Sequence, residues 1–218
     1  MRDIKKFIEV SQWHPRAIPV LVKLLEDRKP KSILELGFWK GGGSLIMAAT
    51  MESYTDSGCI TSIDLSSARS WDPSLDKLLN QEPWAKDIIT PVFSQHSSGY
   101  IWEMKKMIEQ GADKYDMVCL DGAHTLVPDG LAFFMADKLL KPGGVFFVDD
   151  LTWKIKNWKS FPKKKAELMQ VISKEEANTD QVLWIWKYLI GQHPDYYKQK
   201  VIWKNNGIPK WGIAEKKG

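Results

Sequence analysis

The chain has 218 residues, 44% of them hydrophobic and 27% charged, with a net charge of +4; this is enough for one well-buried core and too little for two domains of ordinary size. No apolar run approaches the roughly 18 residues of a membrane span, and the N-terminus carries charges of both signs with no apolar block behind it, which argues against a secretory signal and gives the expectation of a cytoplasmic protein. The small charge excess comes without any nucleic-acid-binding motif, so a small molecule is the expected partner.

Residues 15–27 carry Ile18, Leu21, Val22 and Leu25 at the spacing of an amphipathic helix. A short apolar strand follows at 32–36, then a helix at 43–54 and strands at 59–63 and 88–93, the last after a connection bearing Trp and Pro. Residues 98–110 read as a helix stopped by Gly111, 115–120 as a strand, 127–140 as a helix ending at Lys-Pro-Gly-Gly, and 145–148 as a strand rich in Val and Phe. Residues 199–203 and 211–215 flank Asn205-Asn206-Gly207, a turn signal that predicts a closing antiparallel hairpin. Strands apolar on both faces and alternating with helices predict an α/β, doubly wound, mostly parallel seven-stranded sheet with that hairpin at its C-terminal end. The expected organisation is one domain over 1–218, with an N-terminal helical segment at 1–30 and a Trp/Lys-rich insertion with one or two helices at 152–198.

Cys59 and Cys119 sit inside apolar runs and read as buried small hydrophobes. His14 and His193 stand beside prolines and read as loop residues. Eleven Trp are many for this length, and Trp153, Trp158, Trp184, Trp186 and Trp203 fall in the last third, among Lys154, Lys156, Lys159 and Lys163 to Lys165. The lysines read as a solvated face or as a dock for an acidic substrate. The aromatics suit stacking on a substrate ring, core packing or contact with a second copy of the chain.

In open α/β sheets ligands bind beyond the carboxyl ends of the strands, and Ile33-Leu-Glu-Leu-Gly-Phe-Trp-Lys-Gly-Gly-Gly-Ser44 occupies that place. A dinucleotide loop would place a glycine where Phe38 and Trp39 stand, and a phosphate-cradling loop would have lysine at Gly43. A glycine turn without ligand is the plain alternative. Glu35-Leu-Gly37 followed by Gly41 resembles the first motif of class I S-adenosylmethionine-dependent methyltransferases, in which an acidic residue stands two positions before a glycine. Ser44 lies one residue later than the family's turn has it. The resemblance implies a Rossmann-like fold and a cofactor site made by Glu35, Gly37, Gly41, Gly43 and Ser44. It further implies that Asp64, about 20 residues on, bonds the ribose hydroxyls, and that Gln95 and His96, after the third strand, stand where the family contacts adenine. Taken alone, Asp64 is equally a helix cap or turn residue.

Two more strand ends carry acids, at Asp121-Gly-Ala-His124 and Asp149-Asp150. Three carboxylates converging at one sheet edge would repel one another unless a cation or hydrogen bonds compensated them, and Mg²⁺ or a similar hard divalent ion fits such oxygens. Capping by Asp150 or acceptance of backbone N–H groups by Asp149 are the neutral alternatives. Asp-Gly-x-His, Leu-Lys-Pro-Gly-Gly and Asp-Asp together resemble small bacterial O-methyltransferases of the methyltransferase family 24 type, related to the catechol and caffeoyl-coenzyme A enzymes. That resemblance implies Asp121, Asp149 and Asp150 as metal ligands, with Asp121 also part of the catalytic machinery. His124 stands where metal-dependent relatives carry a catalytic lysine, and becomes the general base for a substrate hydroxyl. A hydroxylated aromatic, sugar or glycosidic acceptor is the expected substrate. The competing readings are a non-catalytic S-adenosylmethionine-binding subunit and a hydroxylase-type relative.

Overall fold

A computed structural model of the protein describes residues 2–11, 17–111, 114–159, 162–203 and 207–218. The expectations at His14 and at Asn205-Asn206 lie outside the described residues. Seven strands form one sheet, β1 (Ser32–Leu36), β2 (Cys59–Leu65), β3 (Ile89–Ser94), β4 (Tyr115–Leu120), β5 (Leu140–Val148), β6 (Tyr196–Trp203) and β7 (Pro209–Lys216), in the order β3-β2-β1-β4-β5-β7-β6. The first five are parallel, and β7 is antiparallel to both β5 and β6, as the apolar central runs and the terminal hairpin signal predict.

Alternation along the central strands sorts side chains to two cores. Ile33, Met117, Cys119, Val145 and Phe147 pack on one face with Leu21 and Leu25 of α2 (Ala17–Arg28) and with α3 (Gly42–Met51), a helix whose ten residues are all buried. Leu34, Leu36, Val118, Leu120, Phe146 and Val148 pack on the other. There they meet helices Tyr100–Glu109 and Leu126–Leu139, numbered α5 and α6 because α4 (Leu75–Gln81) precedes them, and Trp186 of a π-helical turn, Ile185–Ile190.

Register brings the functional positions into line. Leu36 stands opposite Ile63 and Leu120, and Leu120 opposite Val148, so Gly37, Asp64, Asp121 and Asp149 are the next residues along four neighbouring strands. Backbone bonds extend this row: Gly37 N–H donates to Ile63 O (2.8 Å), Asp121 N–H to Leu36 O (2.9 Å) and Asp149 N–H to Leu120 O (3.0 Å).

Four features depart from the sequence reading. Helix α4 occupies a segment in which no helix is predicted, being shorter than the window over which apolar periodicity is read, whereas α1 (Lys5–Ser11) falls inside the segment 1–30 expected to be helical. The β5 strand begins at Leu140, directly after α6, rather than at Val145. Cys59 is exposed at the start of β2, because the apolar run containing it begins one residue before the strand enters the core; Cys119 is buried. The insertion holds three short helices, α7 (Pro162–Leu168), α8 (Lys174–Asn178) and α9 (Gln181–Trp184), besides the π-helical turn. No described helix is long and apolar enough to cross a membrane.

Candidate active site

The row of strand ends opens into a cavity of about 580 Å³, within the range of small-molecule sites. One wall is the glycine turn. Gly37 takes φ +85°, and a Cβ there would stand 2.2 Å from Asp121 O, so only glycine lets β1 and β4 approach this closely. Gly41, at φ +90°, turns the chain into α3. Gly42 faces α1 rather than the cavity, since a Cβ would stand 2.3 Å from Ser11 N. Gly43 is buried in the first turn of α3.

Beneath the turn Glu35 is 1% exposed and accepts from the hydroxyls of Ser44 and Ser62, each at 2.5 Å. Burial pushes its carboxyl up to about 8; the two hydroxyls oppose the shift, and the charges of Asp121 and Asp64 add to it. Glu35 and Ser44 thus brace the turn from below and are not among the residues lining the cavity. Asp64 does line it, while its Oδ2 accepts from the N–H groups of Phe38 (3.0 Å) and Trp39 (3.1 Å). Gln95 and His96 are exposed outside the lining, and the His96 ring stacks on Trp102. Ser97, Ser98 and Gly99 line the wall in their place, as the chain turns from β3 into α5.

At the opposite end stand Asp121, His124, Asp149 and Asp150. His124 Nε2 lies 3.7 Å from Asp121 Oδ1 and 3.8 Å from Asp150 Oδ2, and these three residues present ligand atoms within 4.8 Å of one another. Asp149, 3% exposed, stands apart from that group: its Oδ1 accepts from the Asp150 N–H and from Lys210 Nζ at 3.0 Å. The same ammonium pairs with Asp150 Oδ1. A cation therefore already joins two of the three carboxylates that the sequence groups as ligands, and that trio does not fit a divalent ion as it stands.

A buried couple supports the His124 loop. Tyr100 OH donates to Asp129 Oδ1, and the Ala123 N–H reaches both oxygens at 3.2 Å. The His124 N–H also serves Asp129, whose carboxyl is pushed up by burial against the pull of His124, Tyr100 and these backbone groups. His124 itself is held at φ +55°. Of the five non-glycine residues with positive φ among those described, Trp39, His124 and Asp150 line this cavity, and such conformations cost on the order of 1–3 kcal/mol each unless surrounding contacts enforce them.

The outer wall comes from the insertion. Trp153 packs against the His124 ring at 5.1 Å, Trp158 meets Trp153 at 6.2 Å, and Leu168 of α7 completes the wall. Facing them, Trp39 and Trp71 stack at 4.5 Å. Sequence reasoning missed Lys210, Tyr100, Asp129, Trp39 and Trp71. Lys210 stands three residues after the turn signal, but nothing local marks its side chain as bound for another strand's end.

Residues 34–151, more than half of the chain, match the family model for a methyltransferase domain. No curated protein matches the chain in sequence. Among solved structures, an O-methyltransferase from Bacillus cereus in complex with SAH is similar at 15% identity and a TM-score of 0.69, over 100% of this chain and 92% of that one. The O-methyltransferase TomG from Streptomyces achromogenes, in complex with SAM, gives 17% and 0.69 over 99% and 88%. A Staphylococcus aureus protein assigned as a caffeoyl-CoA O-methyltransferase gives 18% and 0.67 over 99% and 93%. These likenesses establish a shared fold.

Proposed function

Since the chain belongs to the methyltransferase domain family, we propose that it transfers the methyl group of S-adenosylmethionine to an oxygen of a small hydroxylated acceptor. The observation that carries this reading is the arrangement of one cavity: a glycine turn and Asp64 at one end, and His124 between two carboxylates at the other. The structural neighbours add support, two of them being O-methyltransferases in complex with SAH or SAM.

In this reading Gly37 gives the cofactor close approach to the backbone, Asp64 receives the ribose hydroxyls, and the wall from Ser97 to Gly99 takes the place assigned from sequence to Gln95 and His96. Bound S-adenosylmethionine supplies an activated methyl group, so the protein's work is to align the acceptor oxygen, exclude water and move one proton. His124 Nε2 takes that proton as the oxygen becomes nucleophilic. Asp121 Oδ1 and Asp150 Oδ2 flank that nitrogen at 3.7 and 3.8 Å. The wall of Trp153, Trp158 and Leu168 offers an apolar face to a flat aromatic or sugar ring, with its hydroxyl toward His124. Lys210 holds Asp149 and Asp150, so this pair does not present two open carboxylates to Mg²⁺.

The test is transfer of labelled methyl from S-adenosylmethionine to a panel of hydroxylated aromatics and sugars. An oxygen-methylated product whose formation collapses in His124→Ala is expected. Methylation confined to nitrogen or carbon acceptors, or undiminished in that variant, contradicts the reading.

A further inference from the structure

The strongest unassigned feature of the site is the lysine in its floor. Lys210 belongs to β7, whose register against β6 shifts by one residue just there: Ile202 stands opposite Trp211 and Trp203 opposite Pro209, leaving Lys210 as an extra residue. A bulge of this kind re-aims a side chain and recurs beside active sites. The bulge is fastened to the segment that follows Asp150, since Leu151 N–H donates to Lys210 O at 3.0 Å and Thr152 Oγ1 to Pro209 O at 3.0 Å. With the backbone fixed on both sides, the side chain, 11% exposed, reaches Asp149 Oδ1 at 3.0 Å and Asp150 Oδ1.

We infer that the Lys210 ammonium is a resident cation standing where a divalent ion would bridge the strand-end carboxylates, so that this site works without metal. The inference deepens the methyl-transfer reading and rests on it for what the cation does. Three facts carry it. The ammonium is shared by both neighbouring carboxylates, so the place of a bridging ion is already taken by a cation that meets one of their two negative charges. Asp149 is 3% exposed, spends one oxygen on Lys210 and on the Asp150 N–H, and is not part of the group formed by Asp121, His124 and Asp150. A positive charge fixed on Asp150 also weakens the pull on a second cation at the position between Asp150, Asp121 and His124. His124 Nε2 is thereby kept for the proton instead of being spent as a ligand, and Lys210, which lines the cavity, offers its charge to the oxyanion that forms as the acceptor loses its proton. Protons and charge balance without an ion: the proton goes to His124, the methyl leaves sulfur for oxygen, and the sulfonium becomes a neutral thioether.

The experiment is an electron paramagnetic resonance titration of Mn²⁺ with the full-length protein, beside calorimetry with S-adenosylhomocysteine as a check that the cavity is intact. Wild type should leave the free Mn²⁺ signal undiminished, whereas Lys210→Met, which keeps an unbranched side chain one atom shorter and removes its charge, should take up one equivalent. Lys210→Arg should behave as wild type. Methyl transfer by wild type should survive chelation, and any transfer by Lys210→Met should become dependent on added Mn²⁺. Uptake of one equivalent of Mn²⁺ by wild type overturns the inference. So does a folded Lys210→Met protein, still binding S-adenosylhomocysteine, that takes up none. Failure of S-adenosylhomocysteine to bind wild type counts against the methyl-transfer reading instead, and the Mn²⁺ comparison between wild type and Lys210→Met still decides the status of the lysine.

Discussion

The two ends of the cavity treat strand-end acids in opposite ways. Under the glycine turn, Glu35 is buried, pushed up to about 8, and held by two hydroxyls, while Asp64 lines the cavity and accepts from backbone N–H groups of the turn. At the far end, Asp149 and Asp150 keep an ammonium between them, and His124 stands between Asp121 and Asp150. The first end shapes a backbone with neutral donors; the second arranges charge for a proton to move. A carboxylate at a parallel strand end is thus no mark of a metal by itself. What meets it decides its use.

Breaking the charged end should have the largest effect. His124→Ala should lower turnover by about 10²–10⁴-fold, the range for loss of a general base, with S-adenosylhomocysteine affinity little changed; steady-state kinetics beside calorimetry measure both. At the turn, Gly37→Ala forces a Cβ to within 2.2 Å of Asp121 O in a left-handed conformation. Overpacking together with backbone strain should cost about 2–5 kcal/mol, read as a fall in the denaturant midpoint.

The sequence made the frame of this contrast legible. Strands β1 and β4 stand out as short, mostly apolar runs ended by Gly37 and Asp121, and parallel register then places Asp64 and Asp149 beside them. What could not be read was whatever depends on the aim of a side chain across the fold. Lys210 reaches the floor only because a bulge turns it, and Asp129 supports His124 only because Tyr100 arrives from α5. The exchange of Gln95 and His96 for Ser97 to Gly99 has the same origin: the chain bends after β3, and the bend, not the spacing, selects which residues face inward.

Smaller perturbations sharpen the contrast. Tyr100→Phe removes the hydroxyl that bonds Asp129 and Ala123, and should cost about 1–3 kcal/mol of stability while lowering kcat more than it raises KM, because the loop carrying His124 loses a support. Glu35→Gln should give the smallest change, visible only against pH. The folded-state value of Glu35, about 8, lies above its ordinary 4.5, so folding takes up a proton. The stabilisation this gives is complete below about pH 4.5 and is lost as the pH rises to about 8. Urea midpoints across that window should fall with pH for wild type and change less for Glu35→Gln.

The most direct test of the central claim is a calorimetric titration of S-adenosylhomocysteine into the protein in the presence of EDTA. One molecule bound per chain, with affinity unchanged by the chelator and weakened by Asp64→Ala, is the predicted result; absence of binding to the folded wild-type protein would contradict the claim.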